Sequence, residues 1–269
     1  MGEEPIWVTI VVNRLFGKTA AALLAALHIQ PSSPSYPIPN SVSMEIFVFI
    51  LAVVFFLWLR GRISVDRPGA AQQVMENLLT NKMGVGILDL INDNIHHDGE
   101  KYLPMIGTIG IFILLCNLIN LIPTLEAPTA TATVPLGCAA IVFVYYNAAG
   151  IFKKGPLGHA RHFLGPVLPM APLMLPIELF SHFFRLLSLT VRLWVNMLVS
   201  EMLYAVFLGL MLGVYFYLGK LNGLGYASAV LPFAIPLLFM LLHIFVAILQ
   251  AFVFTILPVI YVSEAVAEH

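Results

Sequence analysis

Long apolar runs are the feature that most limits what this chain can fold into. Residues 177–220 contain no proline and are mostly apolar, and residues 226–262 form a second long apolar run. As a helix the first run would measure about 66 Å, roughly twice the hydrocarbon core of a membrane. Such a helix either breaks near Gly209 and Gly213 or lies strongly tilted. The chain is 60% hydrophobic and 10% charged, whereas soluble domains are about 45–50% apolar and about 25% charged. We therefore expect a membrane protein.

Shorter apolar segments and one amphipathic segment complete the predicted architecture. Segments long enough to cross a bilayer cover 42–59, 103–123 and 134–152. Residues 72–97 alternate apolar and charged residues at helical spacing, which predicts an interfacial helix broken near Gly84 and Gly86. The sequence thus predicts an all-α polytopic membrane protein with about five membrane-embedded helices. Two of these, at about 172–218 and 226–264, form a long tilted helical hairpin.

The first 41 residues are predicted to form a separate N-terminal amphipathic, extracytoplasmic segment. It ends in a linker rich in proline and serine, and a single membrane domain covers 42–269. Residues 60–101 carry five Lys or Arg and residues 153–161 carry three, whereas the loop after the second span carries none. By the positive-inside rule both basic segments are cytoplasmic. The N-terminus then lies outside and the C-terminus lies in the cytoplasm.

Charged residues inside the long apolar runs need an explanation, because a charge at mid-bilayer costs about 2.5–3.5 kcal/mol on insertion scales. Between residues 163 and 263 they are Glu178, Arg185, Arg192, Glu201 and Lys220. The first three share one helical face, and Glu201 lies about 180° around the helix from Arg192. Ser188 and Asn196 flank Arg192 at four residues on either side. In the second run His243 and Gln250 share a face, with Glu264 fourteen residues further on.

Two interpretations of these polar residues stay open on this reasoning. Hydrogen bonding or ion pairing between helices explains Arg185, Ser188, Asn196 and Gln250 as well as a function does. For Arg192 a function is favoured, because no carboxylate lies three or four residues away on its helix to neutralise it. His243 fits either interpretation, since an imidazole can relay protons or serve as a buried hydrogen-bonding group.

Several classes of function find no support in the sequence. His96, His97, His159 and His162 have no Cys or carboxylate partner at a recognised metal-site spacing, so no metal and no cofactor are predicted. A net charge of −1 gives no general attraction for nucleic acid. No Walker loop, GxSxG or HExxH sequence is present, so no catalysis is expected from this chain alone.

Four segments of the chain resemble subunit a of the Fo sector of F-type ATP synthases, of the bacterial type. SLTVRLWVNMLVSE, at 188–201, is similar to the SLxxRLFGNMxAGE segment of that family. HIFVAILQAFVFTIL, at 243–257, is similar to its HxxxxxLQAxxF segment. NLINLIP at 117–123 and the tail YVSEAVAEH at 261–269 also match. The resemblance extends from about residue 42 to the C-terminus.

The resemblance implies roles for individual residues. It implies that Arg192 faces the ion-carrying carboxylates of a rotating c-ring, with Gln250 and Asn196 beside it. It also implies that Glu201 and His243 are paired in one aqueous half-channel.

At the other half-channel the resemblance places Glu178, with Arg185 and Ser188 as a supporting polar stripe. The chain departs from the family pattern at three positions that the family often fills with proline, glycine and glycine, namely Leu186, Val195 and Ser200.

Together these matches imply a non-catalytic, proton-translocating stator subunit that couples proton flow to ATP synthesis. The implied partners are the c-ring of the Fo sector, subunit b of the peripheral stalk and membrane lipid, with no nucleic acid. The implied location is the bacterial inner membrane. A self-contained polytopic carrier of an anionic substrate is the alternative function.

Overall fold

The structure is a computed structural model that describes residues 5–26, 28, 35–65, 67–80, 86–95, 99–122, 125–164, 171–218 and 230–267. Over these ranges the chain is helical and forms no strand, which confirms the predicted all-α class. The α-helices are α1 (Trp7–Ala26), α2 (Asn40–Arg60), α3 (Ala70–Thr80), α4 (Ile87–Asn94), α5 (Leu103–Leu118), α6 (Thr133–Leu164), α7 (Ala171–Leu218) and α8 (Val230–Val266). Helices α1, α2, α5, α6, α7 and α8 are long and apolar enough to cross a membrane, which confirms a polytopic membrane protein.

Helix α7 has 48 residues and passes through Gly209 and Gly213 without a break. The alternative of a break at these glycines is therefore wrong. A break inside hydrocarbon would leave backbone N–H and C=O groups without partners, at several kcal/mol for each group. That penalty exceeds the roughly 1 kcal/mol that a glycine costs inside a helix. At about 1.5 Å per residue the unbroken helix measures about 72 Å.

Helix α6 extends further than the predicted span at 134–152. It reaches Leu164 and changes direction at Gly155, whose backbone has φ 73°. Glycine adopts this left-handed conformation readily because it has no Cβ, and Pro156 follows it directly.

The main hydrophobic core lies where α4, α5, α6, α7 and α8 meet. Ile91, Ile113, Leu193 and Phe254 are fully buried there. A second, smaller core joins α1 and α2 to the end of α5 through apolar residues that include Val8, Met44 and Cys116. The N-terminal segment therefore packs against the membrane domain, while the predicted domain division at residue 41 stays a prediction.

Helices α3 and α4 cover the described part of the predicted interfacial helix. They are separate helices, and Gly86 precedes α4 in an extended conformation. Ile91 of α4 is buried in the main core, and the Ser263 hydroxyl of α8 donates a hydrogen bond to the carbonyl oxygen of Asn94 at 2.7 Å. Some sequence predictions lie outside the described residues. They concern the helix break at Gly84, the charge of Lys220, and the histidines predicted to bind no metal, which are His96, His97 and the side chains of His159 and His162.

Candidate functional site

Arg192 lies in the middle of α7, and its side chain is exposed. The adjacent Val191 is also exposed, so the guanidinium stands on an apolar surface, while Leu193 is buried in the core. No hydrogen bond or ion pair joins Arg192 to any residue that the structure describes. An arginine is always charged in proteins. Its partner must therefore come from outside the described part of the chain.

A group of side chains, here called the Glu201 cluster, gathers where α5 is connected to α6. It consists of Glu201, His243, Asn117, Ala127 and Thr129. The Ala127 N–H donates a hydrogen bond to Oε1 of Glu201 at 3.3 Å. Nε2 of His243 lies 3.2 Å from the carbonyl oxygen of Asn117, and it must carry the hydrogen because a carbonyl only accepts. Thr129 in turn donates to Oδ1 of Asn117 at 2.7 Å. One short connection therefore positions both ionisable side chains.

A cavity of about 120 Å³ adjoins the Glu201 cluster. Its polar lining comes from Asn120, Ser200, Tyr204 and His243. A water molecule occupies about 30 Å³ of liquid volume, so the cavity has room for several. Ser200, which stands where the family often has glycine, thus adds a hydroxyl to this lining.

Two buried amide atoms lack a hydrogen-bond partner among the residues described. They are Nδ2 of Asn117 and Oε1 of Gln250, and the two residues are 0% and 2% exposed. An unsatisfied buried polar atom costs about 1–3 kcal/mol. Such atoms are normally satisfied by water, so both amides favour hydration, at the last turn of α5 for Asn117 and near the middle of α8 for Gln250.

A second group of side chains begins at Glu178, near the start of α7. Nε2 of His182 lies 3.5 Å from Oε1 of Glu178, one helical turn away. On its other side, Nδ1 of His182 lies 2.7 Å from the hydroxyl of Tyr146 on α6. The imidazole also stacks on the Tyr146 ring, with centroids 5.7 Å apart and 28° between the planes. The histidine thus contacts a carboxylate on one side and a phenol on the other.

The C-terminal end of α8 completes this group. Nη1 of Arg185 lies 2.6 Å from Oε2 of Glu264, and the guanidinium lies over the Tyr261 ring at 4.9 Å from its centroid. Tyr261 also contacts Tyr146, at 5.7 Å between ring centroids. We call the whole group the Glu178 cluster, which comprises Glu178, His182, Tyr146, Arg185, Glu264 and Tyr261.

The two clusters contact α7 on opposite sides of Arg192 along the helix, one near its start and the other beyond its middle. Fourteen residues separate Glu178 from Arg192 and nine separate Arg192 from Glu201, which correspond to about 21 Å and about 14 Å along a helix. Helix α8 runs antiparallel to α7, since Glu264 lies at the first cluster and His243 lies near the second. Arg192 therefore lies between the two clusters along the hairpin of α7 and α8.

The structure places the remaining sequence-predicted residues around this arrangement. Gln250 is buried in α8, Asn196 is half-buried and Ser188 is exposed. Sequence reasoning missed His182 and Tyr146. His182 had a detectable signal, because it follows Glu178 by four residues and so shares its helical face.

Comparisons with known proteins show the family of this chain. The family model described as ATP synthase A chain matches residues 42–263. The chain is 38% identical to ATP synthase subunit a of Koribacter versatilis, over 98% of this chain and 97% of that protein. It is 43% identical to the Solibacter usitatus subunit a, over 87% and 90%, and 34% identical to that of a Sulfurihydrogenibium species, over 85% and 98%. The chain therefore belongs to the ATP synthase subunit a family.

Proposed function

We propose that this chain is the stator subunit of the proton-conducting Fo sector of ATP synthase and passes protons to and from a rotating c-ring through two half-channels. The observation that carries the proposal is the placement of two polar clusters along α7, one before and one after an arginine that has no ion-pair partner among the described residues. Membership of the subunit a family supports the same conclusion.

The exposed position of Arg192 supports a c-ring on this face of α7. An exposed guanidinium on an apolar surface is unfavourable in lipid, by about 2.5–3.5 kcal/mol at mid-bilayer. A carboxylate from a neighbouring subunit removes that penalty by forming an ion pair. The ion-carrying carboxylates of a c-ring have the required charge.

The Glu201 cluster is suited to one half-channel. Its cavity is large enough for water, and its carboxylate and imidazole are both groups that can carry a proton. The Glu178 cluster is suited to the other half-channel, since it has a carboxylate that is 35% exposed beside an imidazole. Asn196 follows Arg192 by one helical turn on α7, and we propose that Gln250 of α8 also lies near the arginine.

In this mechanism Arg192 separates the half-channels. A proton enters through one cluster, neutralises a carboxylate of the c-ring, travels with the ring through lipid and leaves through the other cluster. The fixed positive charge favours an ionised carboxylate opposite it and repels a proton that would pass directly. Each proton that crosses releases about 2.3 kcal/mol per 100 mV. ATP is made elsewhere in the complex, so this chain is not itself catalytic.

The proposal includes the location and the remaining partners. We place the chain in the bacterial inner membrane with its N-terminus outside and its C-terminus in the cytoplasm. The Glu201 cluster then faces the outside and the Glu178 cluster faces the cytoplasm. Subunit b of the peripheral stalk and lipid are proposed to cover the apolar surfaces that the c-ring leaves free.

A self-contained carrier of an anionic substrate is not favoured. A carrier needs its cation inside an enclosed substrate site, whereas Arg192 lies on the outer surface of α7. The two models differ in a simple measurement. The purified chain alone, in vesicles with a membrane potential, is expected to pass no protons, and substantial anion or proton flux by the chain alone would favour the carrier.

The deciding experiment is Arg192→Ala in the intact complex, with ATP synthesis and passive proton flux measured on the same vesicles. We expect synthesis to be abolished while passive flux persists or rises, because nothing then blocks direct passage between the half-channels. Arg60→Ala makes the same change at the exposed end of α2 and serves as the matched control. Normal synthesis by Arg192→Ala would contradict the proposal.

A further inference from the structure

We propose that His182 and Glu178 act together as one proton-exchanging pair in the half-channel of the Glu178 cluster, and that Tyr146 orients the imidazole. This inference rests on the proposed function above, because the path that it refines is part of that function. It assigns His182 as a proton carrier and Tyr146 as a positioning residue.

The contacts of His182 carry the first step of the argument. Both of its ring nitrogens face a group that can share a proton, with Glu178 at 3.5 Å and the Tyr146 hydroxyl at 2.7 Å. The imidazole side chain is 12% exposed, whereas the Glu178 side chain is 35% exposed. The pair therefore links a largely buried nitrogen to a carboxylate that is partly exposed on the surface of this chain.

The Tyr146 hydrogen bond can set which nitrogen exchanges protons. When Nδ1 carries its hydrogen and donates to the Tyr146 oxygen, Nε2 presents a lone pair towards Glu178. A protonated Glu178 carboxyl then gives its proton to Nε2. The O–H bond breaks and the N–H bond forms, which leaves a carboxylate beside an imidazolium, and the reverse step returns the proton. A small side-chain movement or one bridging water closes the 3.5 Å separation.

The charges around the pair do not compete with this exchange. On α7 the nearest cation is Arg185, and it is matched by Glu264 of α8 at 2.6 Å, so these two form a neutral unit. Helix α8 also contributes the Tyr261 ring, and helix α6 contributes Tyr146. Among these described groups, the carboxylate that faces the imidazole is Glu178.

A purely structural role makes a different prediction. If His182 only ties α7 to α6 through Tyr146, an amide at its position preserves the tie and also preserves proton flow. Glutamine can hydrogen-bond the Tyr146 hydroxyl but cannot take up a proton at neutral pH. His182→Gln therefore separates the two roles.

The test uses vesicles that contain the intact complex, with proton flux measured at a series of pH values on the side of the Glu178 cluster. For the wild type we expect flux to fall at the acidic end of the series, because an imidazole that is already protonated cannot accept a proton from Glu178. His182→Gln is expected to lower flux about tenfold or more and to remove this inflection. Tyr146→Phe is expected to lower flux less and to shift the inflection without removing it. His28→Gln, the same change at an exposed histidine, is the matched control.

Wild-type flux with a wild-type pH profile in His182→Gln would overturn the exchange pair. A wild-type profile in Tyr146→Phe would overturn the positioning role of the tyrosine. Co-purification of the other subunits checks assembly, and His182→Asn replaces His182→Gln if the latter does not assemble. The Arg192→Ala arm is measured in the same vesicles. Normal ATP synthesis by Arg192→Ala would contradict the proposed function of the whole site. Loss of synthesis by Arg192→Ala together with wild-type flux in the His182 variant would contradict only the His182 pair.

Discussion

At the scale of single residues, Glu201 combines a structural hydrogen bond with free capacity to take up a proton. Its Oε1 accepts one hydrogen bond from the Ala127 N–H, and no other described residue bonds to the carboxylate. An ionised carboxylate has about four lone-pair sites. The remaining sites are available to water from the adjoining cavity.

This arrangement predicts that Glu201→Gln stops proton passage without disturbing the fold. The glutamine oxygen can still accept from Ala127, so assembly should be retained. The amide cannot carry a proton, so ATP-driven proton pumping should fall about tenfold or more. Glu201→Asp should have a milder effect, because the shorter carboxylate still ionises.

Proton pumping and co-purification of the complex are measured together for these variants. Glu100→Gln, at an exposed carboxylate before α5, is the matched control. Equal pumping by the wild type and Glu201→Gln would mean that the hydrogen bond to Ala127 is the whole role of this residue.

Sequence reasoning could single out a residue where one helix carries the whole signal. Arg192 could be singled out because its own helix offers no neutralising carboxylate, and the structure shows it exposed and unpaired among the described residues. The Arg185–Glu264 pair and the His182–Tyr146 contact join separate helices. Such contacts depend on how the helices pair in space, which a one-dimensional periodicity does not contain.

At the scale of elements, the apolar pattern predicted the helices well and their interruptions poorly. The predicted helix at about 172–218 corresponds to α7 at Ala171–Leu218. The bend of α6 at Gly155 was not predicted, because a glycine beside Lys154 in a basic segment resembles the end of a span. The broken form of α7 was ruled out only by the structure, since lone glycines in apolar runs are compatible with both outcomes.

The crossing of α5 and α8 predicts that Gly110→Ala destabilises the protein. A Cβ at Gly110 would collide with Cγ2 of Thr255, whose Cβ lies 3.8 Å from the same point. Thr255 is buried, so relief requires the helices to move apart, at about 1–3 kcal/mol. The thermal unfolding midpoint of the purified complex should fall.

Gly137→Ala in α6, where a Cβ meets nothing within 4 Å, is the matched control and should leave the midpoint unchanged or raise it slightly. A drop of the same size in both variants would refute the crossing.

The ion pair between α7 and α8 predicts a rescue by charge exchange. Arg185→Glu alone places two carboxylates together, and Glu264→Arg alone places two cations together, so each should reduce the yield of assembled complex. The double variant restores opposite charges and should recover much of that yield. Quantitative co-purification measures the three variants in parallel. A double variant no better than the worse single variant would show that the pair does not hold these helices together.

At the scale of the whole molecule, the exposed apolar surface explains why this chain needs partners. Only 6% of the most apolar stretch of α7 is buried within the chain. Large apolar side chains such as Leu210 of α7 and Phe245 of α8 are exposed. Composition predicted a membrane protein correctly, but it did not distinguish surfaces that face lipid from surfaces that face another subunit. On α7 we propose that Arg192 marks a surface that faces another subunit, because lipid offers it no carboxylate.

Orientation in the membrane decides which cluster takes up protons from which side, and it predicts a labelling pattern. Lys and Arg are concentrated at 60–101 and 153–161, whereas the loop between α5 and α6 has none. Gly69→Cys should therefore react with a membrane-impermeant thiol reagent from the cytoplasmic side only, and Ala132→Cys from the outside only.

Both positions tolerate the change, since a Cβ added at Gly69 meets open space and Ala132 is exposed. Cys116 and Cys138 are buried and should stay unlabelled, so the parent chain is the background control. Reaction of Ala132→Cys from the cytoplasm would reverse the orientation, and the Glu201 cluster would then open to the cytoplasm.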